Sequence, residues 1–293
     1  MKSVLVLISN PAKSSLDEAH VRQAIEALDA AGARVDAPDW LAPGIACDLP
    51  FEGRAAEIRL PGIDAVVVPA LLRRKKLLVA DMESTIIENE MLDELDEFLG
   101  LRDRIAGITA RAMNGEIDFA GALKARVGLL KGLPVVRLDE AAKRIRYTPG
   151  GATLVATMEK HGSFCALVSG GFTFFTSKVR EALGFDLDAA NVLAHDGQKL
   201  TGEVEPPILG KEAKLATLDR LCVERQITAG EALTVGDGAN DLPMLKAAGL
   251  GVAFHAKPVV AAEVSARIAH GDLTALLYLQ GYRRSDFIER PDP

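Results

Sequence analysis

The chain has 293 residues, 48% hydrophobic and 26% charged, which is the composition of a soluble globular protein of about two domains. Its 34 basic and 41 acidic residues give a net charge of −7, so neither a nucleic acid nor a membrane surface is an expected partner. The three cysteines, Cys47, Cys165 and Cys222, are widely spaced and form no CxxC motif. We therefore expect no zinc site and no disulfide framework, and a cytoplasmic location.

Residues 1–75 have the pattern of a small α/β domain. Val4–Ile8 is apolar and strand-like, and the apolar spacing over about 15–31 predicts a helix. A second strand is predicted at Val35–Trp40. The stretch that follows, from Pro43 to Gly53, is rich in Pro, Gly and Asp, and we assign no strand to it.

A run of four basic residues, Arg73–Lys76, separates this domain from the rest of the chain, 76–293. Adjacent like charges are usually solvated. We therefore predict a solvated linker or strand entry here rather than an anion site.

The next strand, Leu77–Ala80, ends in two carboxylates one residue apart, Asp81 and Glu83. Side chains alternate along an extended segment, so both carboxylates can face the same way at the carboxyl end of the strand, where open α/β sheets bind ligands. One carboxylate could attack a phosphoryl group while the other moves the proton. A turn with solvated acids is the alternative that these residues leave open.

The segment at about 88–147 is helical in pattern, with two apolar stripes separated by polar positions. Short connections between its predicted helices favour a small bundle. Its place in the chain predicts a helical-bundle cap inserted after the first strand of the larger domain.

Strands and helices alternate through the remainder of the chain, which predicts an α/β fold with a doubly wound parallel sheet. Strands are expected at Phe164–Val168 and Ala232–Val235, and an Asp-Gly turn predicts a hairpin over 191–204. Polar clusters follow two strand ends, at Ser169–Gly171 and at Asp237–Asp241.

These clusters are the parts that phosphoryl transfer through an aspartyl intermediate needs. A hard cation such as Mg²⁺ would offset the repulsion between carboxylate and phosphate. A hydroxyl, backbone N–H groups and a lysine would hold the phosphate oxygens. Lys211 opens a predicted helix ahead of the Asp237–Asp241 cluster and is the candidate lysine.

Four segments in this order resemble the motifs of the phosphoserine phosphatase family in the haloacid dehalogenase (HAD) superfamily. They are DMESTII at 81–87, VSGGF at 168–172, the helix-opening Lys211, and GDGANDLPML at 236–245. The resemblance extends from about Leu77 to about Tyr282. It implies a HAD-like, Rossmann-type core and Mg²⁺-dependent hydrolysis of O-phospho-L-serine through an aspartyl-phosphate, the last step of serine biosynthesis.

The resemblance also implies roles for the core residues. Asp81 would be the nucleophile and a metal ligand, and Glu83 the general acid and base, with its backbone carbonyl on the metal. Ser169, Gly170 and Lys211 would bind the phosphate. Asp237 would hold Mg²⁺, supported by Asn240 and Asp241, with Asn240 also on the substrate side.

Within the cap, the resemblance implies four substrate contacts. Glu90 would meet the substrate ammonium, and Arg126 would pair with its carboxylate, for which a planar guanidinium is suited. Met113 and Phe119 would close over the site. Together these side chains would recognise a small phosphorylated amino acid.

One departure from the family pattern is Glu83, where the second acid is normally aspartate. The extra methylene moves the carboxyl group by roughly a bond length, and a misplacement near 1 Å can cost about 10²-fold in rate. Our hypothesis is an active enzyme with a readjusted site. The alternatives are another small phosphate ester, such as phosphothreonine or phosphohomoserine, and a catalytically weak serine or phosphoserine sensor.

The N-terminal domain is similar in pattern to small regulatory or dimerising modules that precede some bacterial family members, including those of the ACT type. It carries no diagnostic motif. We favour packing against a neighbouring domain, or a homodimer, over ligand sensing.

Overall fold

The computed structural model describes residues 2–100, 107–108 and 116–293. Its N-terminal domain is an antiparallel five-stranded sheet with strand order β2-β4-β1-β5, in which β3 pairs with β4. The strands are β1 Lys2–Ser9, β2 Arg34–Val35, β3 Asp39–Ala42, β4 Ala46–Glu52 and β5 Ile63–Pro69. Helix α1, Glu18–Ala30, begins after Asp17, whose carboxylate accepts the N–H groups of Ala19 and His20.

The stretch to which no strand was assigned contains β4, so that prediction was wrong. β4 pairs with β1 in the register Leu5↔Leu49 and Leu7↔Cys47, which places these apolar residues in one cluster under α1. Asp48 and Pro50 gave the segment its loop-like composition. The free-energy cost of burying the Asp48 carboxylate is offset by the Arg73 guanidinium, which lies 2.5 Å from it.

The larger domain is built on a seven-stranded sheet with the order β12-β11-β10-β6-β7-β8-β9. All neighbouring strands are parallel except the hairpin β8–β9, so the doubly wound α/β prediction is confirmed. The strands are β6 Leu77–Ala80, β7 Phe164–Phe172, β8 Leu187–His195, β9 Leu200–Glu205, β10 Ala232–Gly236, β11 Leu250–Phe254 and β12 Ala266–Ile268.

Helices cover both faces of this sheet. Successive side chains of β6 point to opposite faces of the sheet. Leu78 and Ala80 lie in the apolar cluster on one face, and Leu77 and Val79 lie in the cluster on the other. The helices of the larger domain after the cap are α5 Gly151–Lys160, α6 Thr173–Leu183, α7 Glu212–Glu224, α8 Leu242–Ala247, α9 Pro258–Glu263 and α10 Ala275–Leu279.

The cap lies between β6 and β7. Its helices include α2 Met91–Leu99, α3 Phe119–Leu129 and α4 Val136–Ala142. Two chain stems carry it, and they are joined where Ile87 pairs with Tyr147 and where the Glu88 N–H donates to the Arg146 carbonyl at 2.8 Å. The cap is thus attached to the sheet edge at which β6 ends.

The N-terminal sheet packs on the larger domain. Val6 and Val66 belong to the same buried cluster as Leu276. The basic run Arg73–Lys76 lies at this junction and leads directly into β6, which confirms the strand entry that we predicted as one alternative, although Lys75 is buried and Arg73 is half-buried rather than solvated. Arg73 pairs with Asp48, and Lys75 is 7% exposed with its ammonium on the Gly230 carbonyl at 2.8 Å, because each charge finds a partner there.

Candidate active site

A cavity of about 340 Å³ opens at the carboxyl edge of the seven-stranded sheet, between the loops after β6 and β10, the last residues of β7 and the cap helices α2 and α3. Nine of the residues predicted from the sequence line it: Asp81, Glu83, Glu90, Phe119, Arg126, Ser169, Gly170, Asp237 and Asn240. The fold therefore brings together side chains that are up to 159 positions apart, from 81 to 240.

Three buried carboxylates, which we call the floor, converge at the base of this cavity, and Asp81 and Asp237 line it. The carboxylate oxygens of Asp81, Asp237 and Asp241 lie within 4.8 Å of one another. Lys214 inserts between two of them: its ammonium is 2.5 Å from Asp81 Oδ1 and also contacts Asp241. Lys214 is 3% exposed, so its charge is directed almost entirely at these carboxylates.

Burial and contact with a group of opposite charge shift the pKa values on this floor in opposite directions. Burial raises the pKa of Asp81 to about 7, while the Lys214 ammonium favours the ionised carboxylate. Burial also raises the pKa of Asp237, and Lys257 opposes it. For Lys214, burial favours the neutral amine, but Asp81 and Asp241 outweigh it and raise its pKa. Lys214 therefore stays charged.

The lysine that we predicted for the phosphate site, Lys211, does not reach the cavity. Its ammonium lies 3.7 Å from Glu212, and its side chain is 67% exposed. Lys214, which was not predicted, lies three residues further along α7 and places its ammonium beside Asp81 instead. Both lysines share a helix face with Leu218 and Leu221, so the spacing alone gave no reason to prefer Lys214.

Glu83 is held from the cap side. Its Oε1 accepts the backbone N–H of Met91, the first residue of α2, at 2.8 Å. Burial, and next the charge of Glu90, raise the pKa of Glu83 to about 8. A protonated Glu83 can donate a proton at neutral pH, as a general acid must.

The glycine at position 171 makes room for Glu83. A Cβ at Gly171 would lie 2.9 Å from Glu83 Oε2 and 3.1 Å from Ser169 Oγ. The Ser169 hydroxyl in turn accepts the Gly171 N–H at 2.9 Å. The VSGGF segment therefore brings a hydroxyl and a carboxyl group close together, which a side chain at 171 would prevent.

Asn191, which the sequence analysis also missed, fixes this loop. It is 1% exposed. Its side-chain amide donates to the Gly170 carbonyl at 2.8 Å, and its Oδ1 accepts the Leu209 N–H at 2.8 Å. An isolated asparagine within a strand gives no local signal for this role, since both partners are distant in sequence.

The cap wall carries the residues predicted to select the substrate. Glu90 accepts the Ser84 hydroxyl at 2.9 Å, and burial raises the pKa of Glu90. Arg126 donates to Asp93 at 2.6 Å. Phe119 is 44% exposed and lies over Gly170, where a Cβ would be 3.3 Å from the ring. Met113, the fourth predicted cap residue, lies outside the described residues.

A second lysine at the rim was not predicted. Lys257 lines the cavity and places its ammonium 3.5 Å from Asp237 Oδ2, although its side chain is 67% exposed. Asn240 is exposed in the turn that follows Asp237. The rim therefore adds a positive charge beside the outermost carboxylate of the floor.

The floor can hold a divalent cation. Its carboxylates offer hard oxygen ligands, converge within 4.8 Å and are buried, as a hard metal ion prefers.

No helix in the described part of the chain has the length and apolar character needed to cross a bilayer.

Comparison with known proteins gives concordant matches. The family model described as haloacid dehalogenase-like hydrolase matches residues 78–246. A phosphoserine phosphatase of Lactococcus lactis is 43% identical over 203 residues, which cover 69% of this chain and 94% of that protein. A phosphoserine phosphatase of Streptomyces coelicolor is 38% identical over 254 residues, which cover 86% of this chain and 62% of that protein. The match thus spans less than two thirds of the Streptomyces protein.

The similarity to solved structures includes the N-terminal domain. A HAD family hydrolase from Salmonella enterica serovar Typhi superposes with a TM-score of 0.82 at 28% sequence identity. The superposition covers 95% of this chain and 98% of that one. The superposition therefore extends over both the N-terminal sheet and the seven-stranded sheet.

Proposed function

The chain belongs to the haloacid dehalogenase-like hydrolase family, and from that premise we propose that it hydrolyses O-phospho-L-serine to L-serine and phosphate, the last step of serine biosynthesis. The observation that carries the proposal is the buried Asp81 carboxylate. It lies 2.5 Å from the Lys214 ammonium, in a cavity that Glu83 and Ser169 also line.

In the first step, an Asp81 carboxylate oxygen attacks phosphorus and forms an acyl-phosphate as the bond from phosphorus to the seryl oxygen breaks. Glu83 gives its proton to that oxygen, so serine leaves as the neutral alcohol. Lys214 and the Ser169 loop stabilise the charge on the transferring phosphoryl oxygens.

In the second step, the Glu83 carboxylate takes a proton from a water molecule, whose oxygen attacks phosphorus. The bond between phosphorus and the Asp81 oxygen breaks. Inorganic phosphate leaves, Asp81 returns to its carboxylate form and Glu83 is again protonated. One side chain thus serves as acid and then as base.

We propose Mg²⁺ as the metal ion, held by Asp81, Asp237 and Asp241 with the backbone carbonyl of Glu83. The ion would supply positive charge that offsets the repulsion between the nucleophile and the phosphate. Oxygen-only ligands and the small separation of the three carboxylates support this choice.

For the substrate, we propose that Glu90 binds the ammonium group and Arg126 the carboxylate of the amino acid. Both side chains line the cap wall of the cavity, and the Phe119 ring lies over Gly170. Arg126 would exchange its contact with Asp93 for one with the substrate. This pair of opposite charges distinguishes an amino acid from a simple phosphate ester.

The test measures phosphate released from L-phosphoserine with Mg²⁺ and then with EDTA, for the native protein and for Asp81→Asn. We expect Mg²⁺-dependent release that falls about 10⁴-fold or more in the variant, because the amide cannot attack phosphorus. The matched control Asp29→Asn, on the exposed side of α1, should retain full activity. Near-normal release by Asp81→Asn would overturn the mechanism.

Specificity constants for phosphoserine, phosphothreonine and phosphohomoserine, measured side by side, test the substrate. We also propose that the enzyme works in the cytoplasm, which is supported by three buried free thiols, Cys47, Cys165 and Cys222. A homodimer is the remaining expectation from the family resemblance, and light scattering measures it directly.

A further inference from the structure

Lys257 is a cation at the rim of the active-site cavity to which the proposed reaction gives no role. Its side chain is 67% exposed, and its ammonium lies 3.5 Å from Asp237 Oδ2. Arg126 is the other cation among the described residues that line the cavity, and it pairs with Asp93 on the cap. Lys257 instead directs its charge at a carboxylate of the floor.

The backbone of Lys257 is fixed by its neighbours. Its N–H donates to the Asp237 carbonyl at 3.2 Å, and its carbonyl accepts the N–H groups of Val260 and Ala261 at 2.9 and 3.0 Å. A residue before proline is kept in the extended or polyproline region, and Pro258 follows; φ is −57° and ψ is 146°. The Cα atom of Lys257 is thus held beside Asp237, and its side chain keeps its freedom to move.

The floor carboxylates differ in the lysine that neutralises them. Asp81 and Asp241 share the ammonium of Lys214, which is 3% exposed. Asp237 pairs with Lys257, which is 67% exposed. A buried ion pair is costly to break, whereas an exposed pair contributes little to stability. Lys257 can therefore leave its carboxylate at a small cost, and Lys214 cannot.

The groups that face the Lys257 ammonium are acids. Besides Asp237, its charge reaches Glu90 on the cap, where it opposes the rise in pKa that burial causes. An anion held by Lys257 would also face these two carboxylates and would be repelled by them. A cation at Asp237 would instead compete with the ammonium for the same oxygen atoms. The arrangement favours competition between cations over the binding of an anion.

We propose that Lys257 is a positioning residue that acts through Asp237: it competes with the divalent cation there and lowers the affinity of the floor for that ion. The inference rests on the proposed metal site of Asp81, Asp237 and Asp241. Binding of the ion either displaces the ammonium from Asp237 or leaves two positive charges side by side, and both outcomes cost free energy. Lys257 thereby sets the concentration of metal ion that the enzyme needs.

Titration of the full chain with MnCl₂, with the free ion counted from its electron paramagnetic resonance signal, tests the inference without reference to catalysis. Mn²⁺ takes the same carboxylate and carbonyl ligands as Mg²⁺. We expect Lys257→Met to bind Mn²⁺ about fivefold more tightly than the native protein, because a positive charge has left the site. Structural damage would weaken binding, so a gain in affinity identifies an effect of charge.

Two variants control for the change of side chain. Lys257→Arg keeps the positive charge, so its Mn²⁺ affinity should stay within about twofold of the native value. Lys2→Met removes another exposed lysine from an ion pair, here with Asp36 at 2.8 Å on the N-terminal sheet, and should leave the affinity unchanged. An equal gain in affinity in either control would overturn the inference.

Salt gives a second readout. Raising the KCl concentration from about 0.1 M to about 1 M shortens the screening length from about 10 Å to about 3 Å. Because Lys257 is exposed, the difference in Mn²⁺ affinity between Lys257→Met and the native protein should shrink. A difference that salt does not reduce would assign the change to rearrangement of the site and overturn the inference.

The titrations also separate this inference from the proposed function. Unchanged or weaker Mn²⁺ binding by Lys257→Met, with saturable binding by the native protein, would overturn the role of Lys257 and leave the metal site standing. If that variant also bound inorganic phosphate more weakly, Lys257 would be an anion contact instead. No saturable binding of Mn²⁺ by the native protein would overturn the metal site, and this inference with it.

Discussion

The floor and the cap wall of the active-site cavity hold their charges in different ways. On the floor, Lys214 and Asp241 are almost completely buried and in direct contact. On the cap wall, Arg126 pairs with Asp93, which is 64% exposed, and Phe119 is 44% exposed. A buried charge that loses its partner is costly, whereas an exposed pair contributes little to stability. The reacting groups are therefore fixed, while the groups proposed to recognise the substrate can change partners.

The largest effect is expected on the floor. Lys214→Met would leave Asp81 and Asp241 buried without their cation, so we expect kcat/KM to fall about 10³-fold and the protein to lose about 3–5 kcal/mol of stability. Phosphate release and urea unfolding measure the two effects. Lys211→Met, on the same helix face but exposed, should change neither by more than about twofold. Equal losses in both variants would contradict the assignment of Lys214.

A smaller effect is expected where the floor meets the cap. Gly171→Ala places a methyl group 2.9 Å from the Glu83 carboxyl, so that carboxyl must move, and we expect kcat to fall about 10²-fold. Steady-state kinetics measures it. Gly128→Ala is the control, because nothing lies within 4 Å of a Cβ there. Unchanged kcat in Gly171→Ala would show that the position of Glu83 tolerates displacement.

A substitution on the cap wall should change the KM for the substrate rather than kcat. Arg126→Lys keeps the charge but loses the planar pair of donors, so we expect KM for phosphoserine to rise about tenfold while kcat stays within about twofold. The KM for p-nitrophenyl phosphate, which has no amino-acid carboxylate, should stay the same. A loss in kcat for both substrates would place Arg126 in the chemical step instead.

The smallest effect concerns pH. The acid form of Glu83 donates the proton, and its pKa is raised to about 8, so kcat/KM should fall as the pH rises through about 8; on the acid side it should fall as the pH drops through about 7, where the Asp81 carboxylate becomes protonated. Glu90→Gln removes a neighbouring negative charge, which lowers the pKa of Glu83 and moves the fall on the alkaline side to lower pH. The pH profile of kcat/KM checks this. A fall at the same pH in both proteins would exclude Glu90 as a cause.

Patterns that repeat locally were predicted well. The alternation of strands and helices gave the doubly wound sheet, and the Asp-Gly turn gave the hairpin β8–β9. Carboxylates that follow buried strands were expected at one sheet edge, and Asp81 and Asp237 do line one cavity there. β4 was missed because aspartate and proline, here Asp48 and Pro50, are typical of loops. Only the structure shows that Asp48 pairs with Arg73 and can therefore be buried in a strand.

The sequence by itself determined which chemistry is present: two acids after β6, the glycine-rich loops and a helical segment inserted before β7. Only the tertiary structure decided which lysine serves the site. Lys211 and Lys214 share a helix face and differ by about 4.5 Å along the helix axis, at 1.5 Å per residue. The packing of α7 against the sheet sets that axial position and places Lys214 beside Asp81. The periodicity of apolar residues predicts which face of a helix is buried. Which residue along that face lies at the site depends on packing against residues distant in sequence.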